Sequence, residues 1–159
     1  MGSSILAVVD PVGGRVDAQT SEGHPIAMDA DPPHGGASAA DPKDVVLAAL
    51  AGCTAMDVAA ILRKKRQSPA RYEIAVSAES ADAHPRVFTA ITVEHRVTGD
   101  VQPEALRRSI ELSSTRYCPV NAMLSRSVTI EHWYRLTDSA GTTSEAMVSV
   151  VGPDGSRVL

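Results

Sequence analysis

Residues 41–67, DPKDVVLAALAGCTAMDVAAILRKKRQ, decide the fold. Asp41 can accept a bond from a free amide of a first helical turn, and Pro42 suits the first helical position because no bond is lost there. Val46, Ala49, Leu50, Cys53, Met56, Ala60 and Ile61 then recur at three- and four-residue steps, which predicts one helix to about Gln67 with this stripe facing a core. Ala48, Ala51, Gly52, Ala55 and Ala59 keep the flanks narrow and permit close packing, so the helix is expected to be central and buried. Arg63-Lys64-Lys65-Arg66 complements the negative end of the helix dipole and reads as a solvated terminus.

On the N-terminal side, Ile5 to Val9, Arg15 to Gln19 and Pro25 to Met28 are short β-prone pieces. Gly13-Gly14 and Ser21-Glu22-Gly23 separate them, the pattern of a small antiparallel meander. Asp29 to Asp41, with Pro32-Pro33 and Gly35-Gly36, has no hydrophobic period and reads as an exposed loop. On the C-terminal side, Tyr72 to Ala78 and Val87 to Val97 alternate apolar and polar residues, a hairpin joined by Ala81 to Pro85. Pro103 opens a second helix, with Leu106, Ile110 and Ser113 on one side, and Pro119 stops it near Tyr117-Cys118. A short helical turn through Asn121 to Leu124 and a strand from Val128 to Leu136 follow. Residues 1–137 are read as one domain and 138–159 as a C-terminal extension, either an extra hairpin or an ordered strand with a frayed end. This order of elements is α+β rather than a parallel βαβ array.

The 159 residues suit one domain of ordinary size. A net charge of −4 and an aromatic content of 3% argue against nucleic acid, which needs cationic surface and stacking rings. The apolar run Ile5 to Val9 is too short for a signal-peptide core or a membrane span, so the protein is expected in the cytoplasm with no membrane partner. His24, His34, His84, His95 and His132 show no metal-site spacing, and most of them read as surface residues.

Two cysteines do not make a disulfide scaffold, and a reducing compartment keeps both as thiols. Each alone reads as a small buried hydrophobe. Cys53 lies about three turns from the helix start, beyond the reach of the N-terminal dipole, and Asp57 one turn on opposes a thiolate. Activation requires a cation delivered by the fold, for which Arg15 is a candidate.

The segment Asp41-Pro42-Lys43-Asp44 through Gly52-Cys53-Thr54-Ala55-Met56-Asp57-Val58 resembles the first-cysteine helix of the OsmC/Ohr superfamily. His84-Pro85-Arg86-Val87-Phe88-Thr89 resembles a strand entry of its OsmC-like branch, and Arg116-Tyr117-Cys118-Pro119-Val120-Asn121-Ala122-Met123-Leu124 its second-cysteine motif. With Val12-Gly13-Gly14-Arg15, the similarity covers about Val8 to Leu136.

The resemblance implies antiparallel sheets wrapped around two central helices in an intertwined homodimer, with active sites at the subunit boundary. It also implies a thiol peroxidase: Cys53 as the peroxidatic thiolate, Cys118 as the resolving thiol, an organic hydroperoxide as substrate, an external dithiol as reductant, and no metal or organic cofactor. In the peroxidase branches a glutamate after the helix-opening proline holds an arginine over the thiolate. Here that position is Lys43, and the acid follows as Asp44, about 100° further round the helix. The clamp of Arg15 is therefore absent, rebuilt with Asp44, or replaced by Lys43 as a second cation. Two other readings stand beside it: a non-catalytic protein of the same fold that binds an apolar small molecule, and an acyl hydrolase pairing Cys53 with His34.

Overall fold

The computed structural model describes residues 2–159, which divide into two compact units, residues 2–48 and 49–159. The first contains strands β1 (Ile5–Val9), β2 (Val16–Thr20) and β3 (Pro25–Met28), paired antiparallel in the order β1-β2-β3. The meander expected from the turn signals is present. Asp10 organises its first turn by accepting the amides of Val12, at the carboxylate, and Gly14, at the carbonyl. The loop after β3 is not simply exposed chain, because it folds around Asp29, which is buried. The Asp29 carboxylate accepts the amides of Ala30, Gly36 and Ser38 and the Ser38 hydroxyl. Those bonds, the Ser38 hydroxyl first, hold its pKa down at about 2.

Helix α1 (Pro42–Lys64) begins where expected, with the Lys43 amide donating to Asp41 Oδ1 at 2.8 Å. It ends three residues earlier than the sequence suggests. Arg66 adopts a left-handed conformation (φ 57°), and the amides of Arg66 and Gln67 turn back to the carbonyls of Arg63 and Leu62. This closes the helix in the manner usually reserved for glycine.

The second unit builds a five-stranded sheet, β4-β5-β6-β7-β8, from β4 (Arg71–Ser80), β5 (Phe88–Thr98), β6 (Thr129–Thr137), β7 (Thr143–Gly152) and β8 (Gly155–Val158). β4 and β5 form the expected hairpin, whereas β5 and β6 run parallel. The parallel pair needs a crossover, and residues 99–128 supply one through α2 (Pro103–Leu112), a π-helical turn at Ser113–Tyr117, and α3 (Pro119–Leu124). β7 and β8 continue the sheet edge by antiparallel pairing, so residues 138–159 are ordered sheet for most of their length.

The core combines Val58 and Leu62 of α1 with Val97, Val101, Leu106, Ile110, Leu136 and Val148, flanked by Tyr72 and Tyr134. The buried face of α1 is thus Leu50, Thr54, Val58 and Leu62, at steps of four, rather than the stripe read from the sequence. Of that stripe only Leu50 is buried, and Met56 is 74% exposed. Val58 and Leu62 pack into that core, and with Leu50 and Thr54 also buried on the same face, Cys53 is left at its edge. α1 also has the length and composition to cross a bilayer, a property the reading of Ile5 to Val9 overlooked. Here its Val58 and Leu62 are core residues.

The turn between β5 and α2 depends on Gly99, whose φ is 121° and whose missing Cβ would lie 2.8 Å from the amide nitrogen of Ala70. Gly99→Ala is expected to destabilise the protein by about 1–2 kcal/mol, read as a lowered urea midpoint at unchanged m-value.

Candidate active site

Cys53 and Asp57 sit one turn apart on the same side of α1, and both are half-buried. Cys118 comes from a different element. Pro119 holds it in extended geometry (φ −71°, ψ 107°) between the π-helical turn and α3. In the π-helical turn the Cys118 amide reaches the Ser113 carbonyl at 3.0 Å, and Ser113 and Ser114 are carried into the interior. The result is a compact cluster in which Cys53 Sγ, Cys118 Sγ and a carboxylate oxygen of Asp57 all lie within 4.8 Å of one another. Both cysteines are free thiols.

Neighbouring groups fix this cluster in place. The Ser113 hydroxyl donates to Asp57 Oδ2 at 3.1 Å and lies 3.5 Å from the Thr54 hydroxyl. The Asn121 amide donates to Cys118 Sγ at 3.3 Å. Cys118 is 2% exposed, and burial pushes its thiol pKa up to about 11. A hydrogen bond from the thiol to Cys53 adds to that rise, while the Asn121 amide and Thr54 hydroxyl pull the other way. Cys118 therefore remains a protonated thiol at neutral pH and a hydrogen-bond donor to the Cys53 sulfur.

Behind Cys118 runs a buried polar chain. The Asn121 side chain donates to the Ser114 carbonyl at 2.7 Å, and its Oδ1 lies 2.9 Å from His132 Nε2. An amide oxygen only accepts, so His132 carries its proton on Nε2. His132 stands 6.1 Å, ring to ring, from His95, whose Nδ1 meets the Tyr72 hydroxyl at 2.7 Å. Both histidines are fully buried, the exceptions to the surface reading; His24, His34 and His84 are exposed. Burial lowers the pKa of His132 to about 4 and that of His95 well below its ordinary value. Among the described residues, His95 Nε2 and His132 Nδ1 have no hydrogen-bond partner.

Arg15 and Asp44 belong to the first unit. Arg15 forms a two-pronged ion pair with Asp17, at 2.8 and 3.1 Å, and its third nitrogen meets the Ser38 hydroxyl at 2.8 Å. Asp44 is exposed in the first turn of α1. The sequence reading missed Ser113, Thr54, Asn121 and His132, and it took Asp57 only as a charge opposing a thiolate. Its spacing of four from Cys53 was the available signal.

Beside Cys118 opens a cleft of about 490 Å³, lined by Ser114, Arg116, Ser125 and Arg126 among others. Arg116 and Arg126 make its lining polar.

Comparison with known proteins identifies the family of the chain and its fold. The model of a family described as OsmC-like protein matches residues 35–132. Protein YhfA of Escherichia coli (strain K12) is 38% identical over 119 residues, 74% of this chain and 87% of that protein. The crystal structure of an OsmC-like protein from Mycoplasma pneumoniae superposes with a TM-score of 0.74 at 18% identity, covering 86% of this chain and 97% of the other. One from Legionella pneumophila, described as an organic hydroperoxide resistance protein, gives a TM-score of 0.62 at 16% identity, covering 83% and 95%. At such identities the two structures speak for the fold alone. The matched family model and the YhfA similarity carry the assignment: this chain belongs to the OsmC-like family.

Proposed function

We propose that the protein is a cytoplasmic thiol peroxidase that reduces organic hydroperoxides through Cys53 and Cys118. The observation that supports it is the approach of two free thiols, from separate elements, to within 4.8 Å. That gap closes to a disulfide by side-chain rotation and a small shift of the chain. The Cys53 thiolate attacks the O–O bond, releases the alcohol and becomes a sulfenic acid. The Cys118 thiol then attacks that sulfur, a disulfide forms, and its proton leaves with the hydroxyl as water. A dithiol delivers two electrons to the disulfide and restores both thiols. The cleft beside Cys118 suits the approach of that reductant, and Arg116 and Arg126 favour one carrying a carboxylate.

By the family resemblance the reading extends to Arg15 as the cation at the peroxide and Asp44 as its acidic partner. It also extends to an intertwined homodimer, for which the exposed apolar residues of β1 and Met56, Tyr117 and Met123 offer surface. The reduced protein, incubated with cumene hydroperoxide and dihydrolipoamide in the presence of a chelator, is expected to consume peroxide catalytically. No consumption above the dithiol alone would overturn the proposal. Cys118→Ser is expected to leave the first oxidation of Cys53 intact while lowering steady turnover about 10- to 100-fold, because a sulfenic acid must then await the external thiol. Stopped-flow peroxide loss and steady-state assays separate the two.

A further inference from the structure

We propose that the reduced Cys53, Asp57 and Cys118 cluster binds one soft divalent cation, of which Zn2+ is the type, and that oxidation of the sulfur pair expels it. Two free thiols and a carboxylate converge here from two separate elements, and the two-thiol chemistry proposed above makes no use of the carboxylate. Two sulfurs and one carboxylate oxygen form a donor set suited to zinc or cadmium and poorly suited to magnesium or calcium, which take oxygen ligands.

The geometry is close to what such an ion requires. Zinc holds thiolate sulfur at about 2.3 Å, which sets two sulfurs about 3.8 Å apart in a tetrahedron. The three donor atoms here lie within 4.8 Å of one another before any ion draws them in. Cys53 and Asp57 are spaced four apart on one helix, so their side chains converge from a rigid base. The Ser113 hydroxyl donates to Asp57 Oδ2 and orients the carboxylate as a supporting bond does for a metal ligand. Binding replaces the protons of two thiols: one Zn2+, two thiols and one carboxylate give a three-ligand complex and release two protons. The fourth position is left to solvent. Two-electron oxidation of the sulfurs to a disulfide removes two of the three donors, so the cation leaves.

The binding half of this inference stands without the peroxidase reading; only expulsion by a hydroperoxide rests on it. The test titrates reduced protein with Co2+ under argon, following the thiolate-to-cobalt charge-transfer band, and then displaces cobalt with Zn2+. One cobalt per chain is expected. The band should be lost in Cys53→Ser and Cys118→Ser, and Asp57→Asn should bind at least ~10-fold more weakly with an unchanged circular dichroism spectrum. Protein oxidised beforehand with diamide should bind none. No band at one equivalent, equal affinity in Asp57→Asn, or a band retained in Cys118→Ser would each overturn the site. If diamide releases the metal and cumene hydroperoxide does not, the metal site stands and the peroxidase reading falls.

Discussion

Replacing Cys53 by serine is expected to lower the rate of organic hydroperoxide reduction by about 10³-fold or more. A hydroxyl in that position is almost never ionised at neutral pH, and neutral oxygen is a poor nucleophile toward an O–O bond. The substitution is nearly isosteric at a half-buried position on the edge of the packed face of α1, so the fold should survive it. Cys118 should not substitute for the missing thiol. Burial and its bond to Cys53 hold it protonated, with a pKa of about 11, and at 2% exposure it offers little surface to a substrate. Retained turnover in Cys53→Ser would therefore remove the proposed mechanism rather than weaken it.

Acidification should destabilise the fold strongly, through the two buried histidines. His132 has its pKa lowered to about 4 by burial, while the unfolded chain titrates near 6.5. Above the unfolded value both states are neutral and the stability is fully present. As pH falls through 6.5 toward 4 the unfolded chain takes up the proton first, so stability is lost across that window. For His132 alone the loss is about 2 kcal/mol at pH 5 and approaches about 3 kcal/mol below pH 4. His95, shifted in the same direction by burial and by its neighbour His132, adds to it. Urea midpoints at pH 7.5 and pH 5 measure the effect. His132→Gln retains an amide donor for Asn121 and is expected to flatten the pH dependence. Equal midpoints at the two pH values would contradict the neutral, buried assignment.

Much of the fold was legible in the residues because local chemistry decides it. Ile5–Val9 and Pro25–Met28 were bounded by turn residues, and both strands stand at the expected positions. Asp41-Pro42 started α1 because capping and proline geometry act within one turn. The end of α1 was not legible, since Arg66 takes a backbone conformation that glycine would have advertised. Nor was its buried face. In an alanine-rich helix the stripe through Cys53 and the one through Thr54 and Val58 have similar periodicity, and only the sheet chooses between them.

The histidines show a signal present but unread. His95 falls among Ile91, Val93 and Val97, and His132 between Ile130 and Leu136, at inward positions of alternating strands. Alternation alone would have buried them. The thiol pair could be named by resemblance, but the contacts of Ser113 with Asp57 and of Asn121 with Cys118 arise from the π-helical turn and Pro119, where sequence distance ceases to measure proximity.

The most direct measurement is the intact mass of the fully reduced protein after one equivalent of cumene hydroperoxide, followed by peptide mapping. The account predicts loss of two hydrogens per chain and a Cys53–Cys118 disulfide within the chain. An unchanged mass, or oxygen added to sulfur with no such disulfide, would contradict it.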